Sequence, residues 1–126
     1  MPSHLHLITS SKEKFAVHGI FRDFKKFTAN EIIKCMKDIN ESRREWILKQ
    51  FIDEGAPLTR IAHYKVWQDG NHPIELATNK MREARLRYLH YNPVEAGLVW
   101  GPEDYCYSSA IDYAGGQGYP DVKLIL

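Results

Sequence analysis

Residues 78–91 are the part of the sequence that most restricts the fold. They are rich in Lys, Met, Arg, Glu, Ala and Leu, the residue types that are easiest to accommodate in a helix. Pro93 follows, and a proline has no backbone N–H with which to continue a helical hydrogen-bond pattern. We therefore predict a helix that begins at Thr78 or Asn79 and ends at Tyr91, before Pro93.

Further helices are predicted on either side of this one. Apolar residues recur every three to four positions in three segments of the first half of the chain. Thr28 and Glu31 have the spacing of a capping box, which predicts that a new helix begins there, and Gly55 is predicted to end a helix. The predicted ranges are residues 17–27, 28–39, 41–54 and, near the end of the chain, 108–114.

Three segments predict β-strands. Residues 2–9 alternate polar and apolar side chains, as a strand with one buried face does. Residues 61–68 are rich in aromatic and β-branched types and run into the turn sequence Asp69-Gly70-Asn71, and residues 122–126 form a possible last strand. The second of these strands is expected to pair with the first.

Length and composition predict one soluble domain. A chain of 126 residues is long enough for one core and short for two. Hydrophobic residues make up 44% and charged residues 26%, and no run approaches the roughly 18 apolar residues of a membrane helix. The first residues lack the pattern of a signal peptide. We therefore expect a single cytoplasmic domain over residues 1–126 that has no membrane segment.

The two cysteines and the overall charge exclude some kinds of site. Cys35 and Cys106 are far apart in sequence and form no Cys-x-x-Cys pattern, so neither a disulfide framework nor a structural zinc site is indicated. We expect reduced, buried thiols. The net charge of +1 does not by itself indicate a nucleic-acid partner. Such a prediction has to rest on the positions of the charged residues.

His4 and His6 form a candidate metal site. Side chains alternate between the faces of a strand, so these two imidazoles would project from the same side while Leu5 turns into the core. Neutral imidazole nitrogens are good ligands for divalent metals. Two surface histidines on an edge strand would give the same pattern, and an unrelated metal hydrolase would also be compatible with it, although no Asp or Glu stands at ligand spacing beside them.

Tyr88 and Asn92 form a second candidate pair. Residues four apart share a face of a helix, so a phenol and an amide oxygen would look toward the same point. A tyrosine can attack phosphorus if a cation or a base assists the loss of its proton. Tyr91 is a rival nucleophile, but it lies on a different face. Alternatively, Tyr88 is a packed aromatic side chain and Asn92 is a polar residue that ends the helix.

Several motifs occur together in one order along most of the chain. They are Met-Pro-Ser-His-Leu-His-Leu-Ile at the start, Phe24-Lys25-Lys26-Phe27-Thr28, Trp67-Gln68, the run from Tyr88 through Asn92-Pro93-Val94 to Val99, Pro102-Glu103-Asp104-Tyr105, and Ser108-Ser109. In this combination the sequence resembles the REP-associated tyrosine transposases and their single-tyrosine, His-hydrophobic-His relatives. The Tyr-x-x-x-Asn-Pro-Val segment is the most specific part of the match.

The resemblance implies a fold and a set of site residues. The fold would be ferredoxin-like, an α+β sheet with helices on one face, and the histidine pair would lie on a central strand. His4 and His6 would be metal ligands, Tyr88 the nucleophile and Asn92 the third ligand. Apart from the resemblance, His63, His72 and His90 could also approach the metal, but only their proximity to strand ends or to Tyr88 favours this, so we expect structural roles for them.

The resemblance also implies a reaction. With Mg²⁺ or Mn²⁺ polarising one phosphodiester of single-stranded or hairpin DNA, the tyrosine attacks, a 5′-phosphotyrosine bond forms and a 3′-OH is released. Attack by another 3′-OH rejoins strands. Members of the family are typically homodimers, so we expect a homodimer as well.

Basic and aromatic residues suggest where DNA would bind. Cationic side chains crowd the helix of Tyr88 and an earlier helix, and three aromatic residues could stack on unpaired bases, although a solvated helix face and ordinary packing explain the same pattern. The basic residues are Arg22, Lys25, Lys26, Lys80, Arg82, Arg85 and Arg87; the aromatic residues are Tyr64, Trp67 and Tyr91.

The chain differs from the family before its histidine pair. Relatives carry some tens of residues there, with a first strand and a helix that this sequence lacks. A late start of the chain, a decayed remnant, and a sheet completed by dimerisation each explain the difference. If the shortened fold does not assemble the site, the protein would be a catalytically impaired DNA-binding remnant of a transposase.

Overall fold

The computed structural model describes residues 3–12, 16–39, 42–58 and 64–125. These residues are helical or irregular, and they divide into two compact units. One unit combines residues 1–9 with residues 73–126, and the other covers residues 10–72. The expectation of one domain over residues 1–126 stays a prediction. The helices are α1 (Val17–Asp38), α2 (Arg44–Gly55), α3 (Asn79–Glu95), a 3₁₀ turn (Pro102–Asp104) and α4 (Ala110–Tyr113).

The unit of residues 10–72 is built on α1 and α2. α1 is continuous, so the prediction that a new helix begins at Thr28 is wrong. The Thr28 hydroxyl, which a capping box would turn to a free backbone N–H, instead donates to the carbonyl of Phe24 one turn earlier, at 2.8 Å. α2 ends at Gly55, as predicted.

Residues 64–72 pack against these helices as an irregular segment. The indole Nε1 of Trp67 donates to Thr28 Oγ1 at 2.9 Å, and the Trp67 ring lies 6.1 Å from that of Phe24. The backbone N–H of Lys65 donates to the carbonyl of Phe51 in α2. Side-chain and backbone bonds to helices thus take the place of strand pairing. Residues 61–63 of the predicted strand lie outside the described residues.

α3 organises the other unit, and both of its ends are fixed by local bonds. The Thr78 side chain accepts a hydrogen bond from the backbone N–H of Met81, which confirms the predicted start. The predicted stop is wrong, because α3 includes Pro93 and continues to Glu95. Gly97, with φ of +69°, ends the helix, and the N–H of Leu98 bonds back to the carbonyl of Pro93.

The core of this unit lies between α3 and the segment that carries the 3₁₀ turn and α4. Leu86 is 8% exposed and Ala110 4%, and Pro93 in the last turn of α3 is buried as well. His90 Nε2 lies 3.0 Å from Ser109 Oγ, so a polar bond also ties α3 to the start of α4. The helix predicted at residues 108–114 is confirmed in the shorter form Ala110–Tyr113.

The predicted α+β, ferredoxin-like sheet is wrong. The described residues contain no β-strand, including those of the three predicted strand segments. Alternation predicts a strand only if a neighbouring strand takes up its backbone hydrogen bonds, and no such neighbour is present within the described ranges. As a result Leu5, which was expected in the core, is 51% exposed.

The structure also bears on the cysteines and on the expectation of no membrane segment. Both cysteines, Cys35 and Cys106, are free but exposed, so the prediction of buried thiols is wrong. The helices of the described residues are too short or too polar for any of them to cross a membrane.

Candidate catalytic site

Tyr88 and Asn92 lie one turn apart on the same face of α3. Tyr88 is 44% exposed, and Asn92 is half-buried. The helical repeat of about 3.6 residues places both side chains toward the same side, as the sequence predicts. A phenol that is in contact with solvent and an amide one turn away are therefore held on a rigid element.

The histidine segment lies against this face of α3. The rings of His4 and His6 are 5.0 Å apart between centroids, and the ring of His6 meets that of Tyr88 edge to face at 5.6 Å. Side chains two positions apart share a side in an extended segment even when it pairs with no other strand. The predicted histidine pair and the predicted tyrosine are thus neighbours.

A cavity of about 300 Å³ joins the histidines to Asn92. Its walls come from the N-terminal segment, from the last turns of α3 and from the residues before α4. The lining residues are His4, Leu5, His6, Leu89, Asn92, Pro93, Tyr105, Tyr107 and Ser108. All four predicted site residues therefore meet in one place, with Tyr88 in contact through His6, while their chemical roles stay predictions.

His6 has the properties of a metal ligand. Burial lowers the pKa of His6, and the nearby positive charge on His4 lowers it further. The imidazole of His6 is therefore neutral near pH 7. Its Nε2 atom is buried and has no hydrogen-bond partner in the described part of the chain. An orphaned imidazole nitrogen is costly in a folded protein unless something else binds it.

The imidazole of His4 contacts a neighbouring hydroxyl through one of its two nitrogens. Its Nδ1 lies 3.1 Å from the hydroxyl of Ser3, which leaves Nε2 free to bind a metal. The described residues contain no group of three or more His, Cys, Asp or Glu side chains suited to a metal. The predicted donor set would consist of two imidazoles and the carboxamide oxygen of Asn92, and it contains no carboxylate.

The rival nucleophile Tyr91 does not line the cavity of the histidines. It borders a second cavity, of about 400 Å³, together with Arg87, whose guanidinium stands 5.7 Å from the centre of the Tyr91 ring. Tyr91 is 44% exposed, as is Tyr88. The two tyrosines thus differ in surroundings and not in accessibility.

His90 has a structural role, in agreement with the expectation. It is 9% exposed, bonds to Ser109 and meets the ring of Tyr113 at 5.2 Å. Burial lowers the pKa of His90, and the charge of Glu103 opposes this effect in part. His90 therefore holds α3 and α4 together as a neutral imidazole.

The basic residues predicted to bind DNA are divided between the two units. Four of them lie on α3, where Arg82 donates to the Asn79 side chain and Arg87 covers Tyr91. Arg85 is exposed and lies one turn before Tyr88 and Leu89, and Arg87 directly precedes Tyr88. The four residues on α3 are Lys80, Arg82, Arg85 and Arg87.

The remaining three belong to α1 in the other unit. Arg22 pairs with Asp23 at 2.9 Å, and both side chains are exposed. Lys25 donates to the carbonyls of Gln68 and Gly70, so its ammonium holds the loop at residues 68–70. Lys26 is exposed. Of these three, Lys25 has a structural role that the sequence pattern did not reveal.

Three polar cavity residues are not among the predicted site residues. Tyr105, Tyr107 and Ser108 line the cavity beside the histidines, although Tyr105 and Ser108 belong to motifs of the family resemblance. The signal for Tyr107 in the sequence is the density of tyrosines at positions 105–119.

Comparisons with protein-family models, with curated proteins and with solved structures gave no match to this chain.

Proposed function

We propose that this protein cleaves and rejoins single-stranded DNA by a metal-dependent transesterification. Tyr88 is the nucleophile, and His4, His6 and Asn92 hold a divalent cation beside it. The observation that carries the proposal is the contact between the rings of His6 and Tyr88, at 5.6 Å, next to an imidazole nitrogen that is buried and unpaired.

The residues of the chain divide the work of the reaction. Tyr88 Oη attacks phosphorus, a phosphotyrosine bond forms on the 5′ side, and the bond from phosphorus to the 3′ oxygen breaks. The phenolic proton is lost to solvent, which reaches the 44% exposed ring, and the leaving oxygen takes up a proton to become a 3′-OH. Arg85, on the same side of α3, binds a neighbouring phosphate. Attack by another 3′-OH on the phosphotyrosine reverses the step and joins strands.

A bound cation would polarise the scissile phosphate and stabilise the charge that develops on it. The residues would supply two imidazole nitrogens and one amide oxygen, from the N-terminal segment and from α3. Imidazole ligands suit transition metals better than Mg²⁺, which prefers oxygen. Of Mg²⁺ and Mn²⁺, Mn²⁺ therefore fits the donor set better.

The proposal includes a homodimer. Apolar side chains such as Leu5, Leu7 and Trp46 are 51%, 52% and 60% exposed. Burying apolar surface of this kind stabilises association by about 25 cal/mol per Å² before the entropy of association is subtracted. A second copy of the chain would cover part of it.

Formation of a covalent adduct tests the proposal. The protein is incubated with labelled, hairpin-flanked single-stranded DNA and Mn²⁺, and a denaturing gel is examined for a band that migrates with the protein. The wild type and Tyr91→Phe should form the adduct, and Tyr88→Phe should not. Because both tyrosines lie on α3 and are equally exposed, Tyr91→Phe is a matched control. An adduct that persists in Tyr88→Phe contradicts the assignment.

A DNA-binding remnant without catalysis is the second candidate function. It is favoured by one observation: residues 3–9, which carry the histidines, pair with no strand, and a metal site needs ligands held to within about half an ångström. Adduct formation separates the two functions, because the remnant would form no adduct in any variant. It would still bind the DNA and slow its migration in a native gel.

A further inference from the structure

Three tyrosines form a continuous row of rings at the edge of the candidate site. The ring centroid of Tyr107 lies 5.9 Å from that of Tyr105 and 6.1 Å from that of Tyr119. The first pair meets nearly edge to face, and the second pair is tilted by 40°. We call Tyr105, Tyr107 and Tyr119 the tyrosine row.

The tyrosine row runs from the cavity out to solvent. Tyr105 is half-buried and lines the cavity of His4 and His6, as does Tyr107. Tyr107 is 72% exposed and Tyr119 83%. Large flat rings left so open are unusual for residues whose only task is packing, and this row begins where the proposed scissile phosphate lies.

The outer end of the row is held in place by the backbone. The N–H of Gly118 donates to the Asp112 side chain at 3.0 Å. A Cβ atom at position 118 would come within 2.9 Å of the Ile111 side chain and 2.6 Å of Asp112 Oδ2, so the chain approaches α4 this closely only with a glycine. Tyr119 follows directly and is therefore presented by an anchored segment.

We propose that the tyrosine row binds the unpaired bases of the DNA strand next to the scissile phosphate. This inference rests on the proposed function for the identity of the ligand. Every base has a π-face, and stacking on exposed aromatic rings holds single strands largely without regard to sequence. Rings about 6 Å apart suit bases that are spread along an extended strand. The row would keep the strand single and in register with Tyr88.

Binding of short oligonucleotides tests the tyrosine row. A fluorescent dT₁₅ strand and an abasic strand of the same length are titrated with protein in EDTA, in a Tyr88→Phe background that prevents cleavage. Tyr107→Leu and Tyr119→Leu should each weaken dT₁₅ binding roughly fivefold to hundredfold and leave abasic binding unchanged. Tyr107→Phe, which keeps the ring, should bind dT₁₅ within twofold of the parent.

Trp100→Leu is the matched control for an exposed aromatic outside the row. Trp100 is 98% exposed, and its removal should leave dT₁₅ binding within twofold. Equal affinity for dT₁₅ and the abasic strand, or full dT₁₅ affinity in both leucine variants, overturns the inference. A change in the self-association of Tyr107→Leu without a change in DNA binding also overturns it, because the row would then be a protein interface.

The failure of this inference is distinguishable from that of the proposed function. An adduct in the wild type, together with undisturbed dT₁₅ binding by the leucine variants, leaves the catalytic site standing and removes the tyrosine row. If no adduct forms, but dT₁₅ binding depends on Tyr107 and Tyr119, the row binds single strands in a protein that does not cleave them.

Discussion

Replacing His6 by leucine should make the metal-free protein more stable and the metal-loaded protein less stable than the wild type. The buried Nε2 atom has no hydrogen-bond partner in the described residues, and an unsatisfied buried polar atom costs about 1–3 kcal/mol. Because His6 is only half-buried, the lower end of that range applies, about 1 kcal/mol. Leucine has a similar size and carries no polar atom.

Metal reverses the order of the two proteins. At a Mn²⁺ concentration of about 100 times the dissociation constant, a ligand that binds only the folded state adds about 2.7 kcal/mol. The wild type gains this stabilisation, and His6→Leu does not. The unfolding free energies of the two proteins therefore cross as Mn²⁺ is added.

Urea unfolding in EDTA and in Mn²⁺ measures both effects. We expect the free energy of unfolding of His6→Leu to be about 1 kcal/mol above that of the wild type in EDTA, and roughly 2 kcal/mol below it in Mn²⁺. His4→Leu is the control: His4 is exposed, so its replacement should change metal-free stability by no more than about 0.5 kcal/mol while it also abolishes the gain from Mn²⁺. A destabilised His6→Leu in EDTA, or an equal gain from Mn²⁺ in wild type and variant, would refute the reasoning.

Two further predictions each concern a contact inside one of the two units. Burial lowers the pKa of His90, so the unfolded chain binds more protons than the folded one at mildly acidic pH. The free energy of unfolding should therefore keep its full value above about pH 6.5 and fall as the pH drops below it. Urea unfolding in EDTA at several pH values measures this fall, which should be smaller in His90→Gln. An equal fall in the variant would show that other groups cause it. Thr28→Val removes the acceptor of the Trp67 indole and should lower the free energy of unfolding by about 1–2 kcal/mol, whereas Thr28→Ser should lose clearly less; equal losses in the two variants would exclude the hydrogen bond as the cause.

The sequence predicts the helices better than their limits. α3 begins at its Thr78 cap because the capping bond lies within four residues of sequence. The predicted end of α3 is too early because Pro93 lies in the last turn, where a proline removes only one backbone hydrogen bond. The helix ends instead where the N–H of Leu98 donates to the carbonyl of Pro93. The helix start predicted at Thr28 is wrong for a different reason. The Thr28 hydroxyl accepts a hydrogen bond from Trp67, which is 39 residues away in the sequence.

The predicted sheet failed because strands depend on distant partners. A pattern such as that of residues 2–9 states which face of a strand would be buried, but it does not say that another strand is there to pair with it. A strand that lacks partners gains no backbone hydrogen bonds, so its alternation has no structural consequence. The family resemblance supplied the missing partners by analogy, and the described residues do not contain them.

The grouping of the site residues survives this failure because it rests on short-range geometry. The histidines need only a locally extended chain to face the same way, and Tyr88 and Asn92 need only one turn of helix. The one long-range condition is that the N-terminal segment lies on this face of α3, and the contact of His6 with Tyr88 meets it. A site built on an irregular segment should depend on its ligand for rigidity more than a site on a sheet does. If Mn²⁺ binds there, it should therefore order residues 3–9 as well as stabilise the fold.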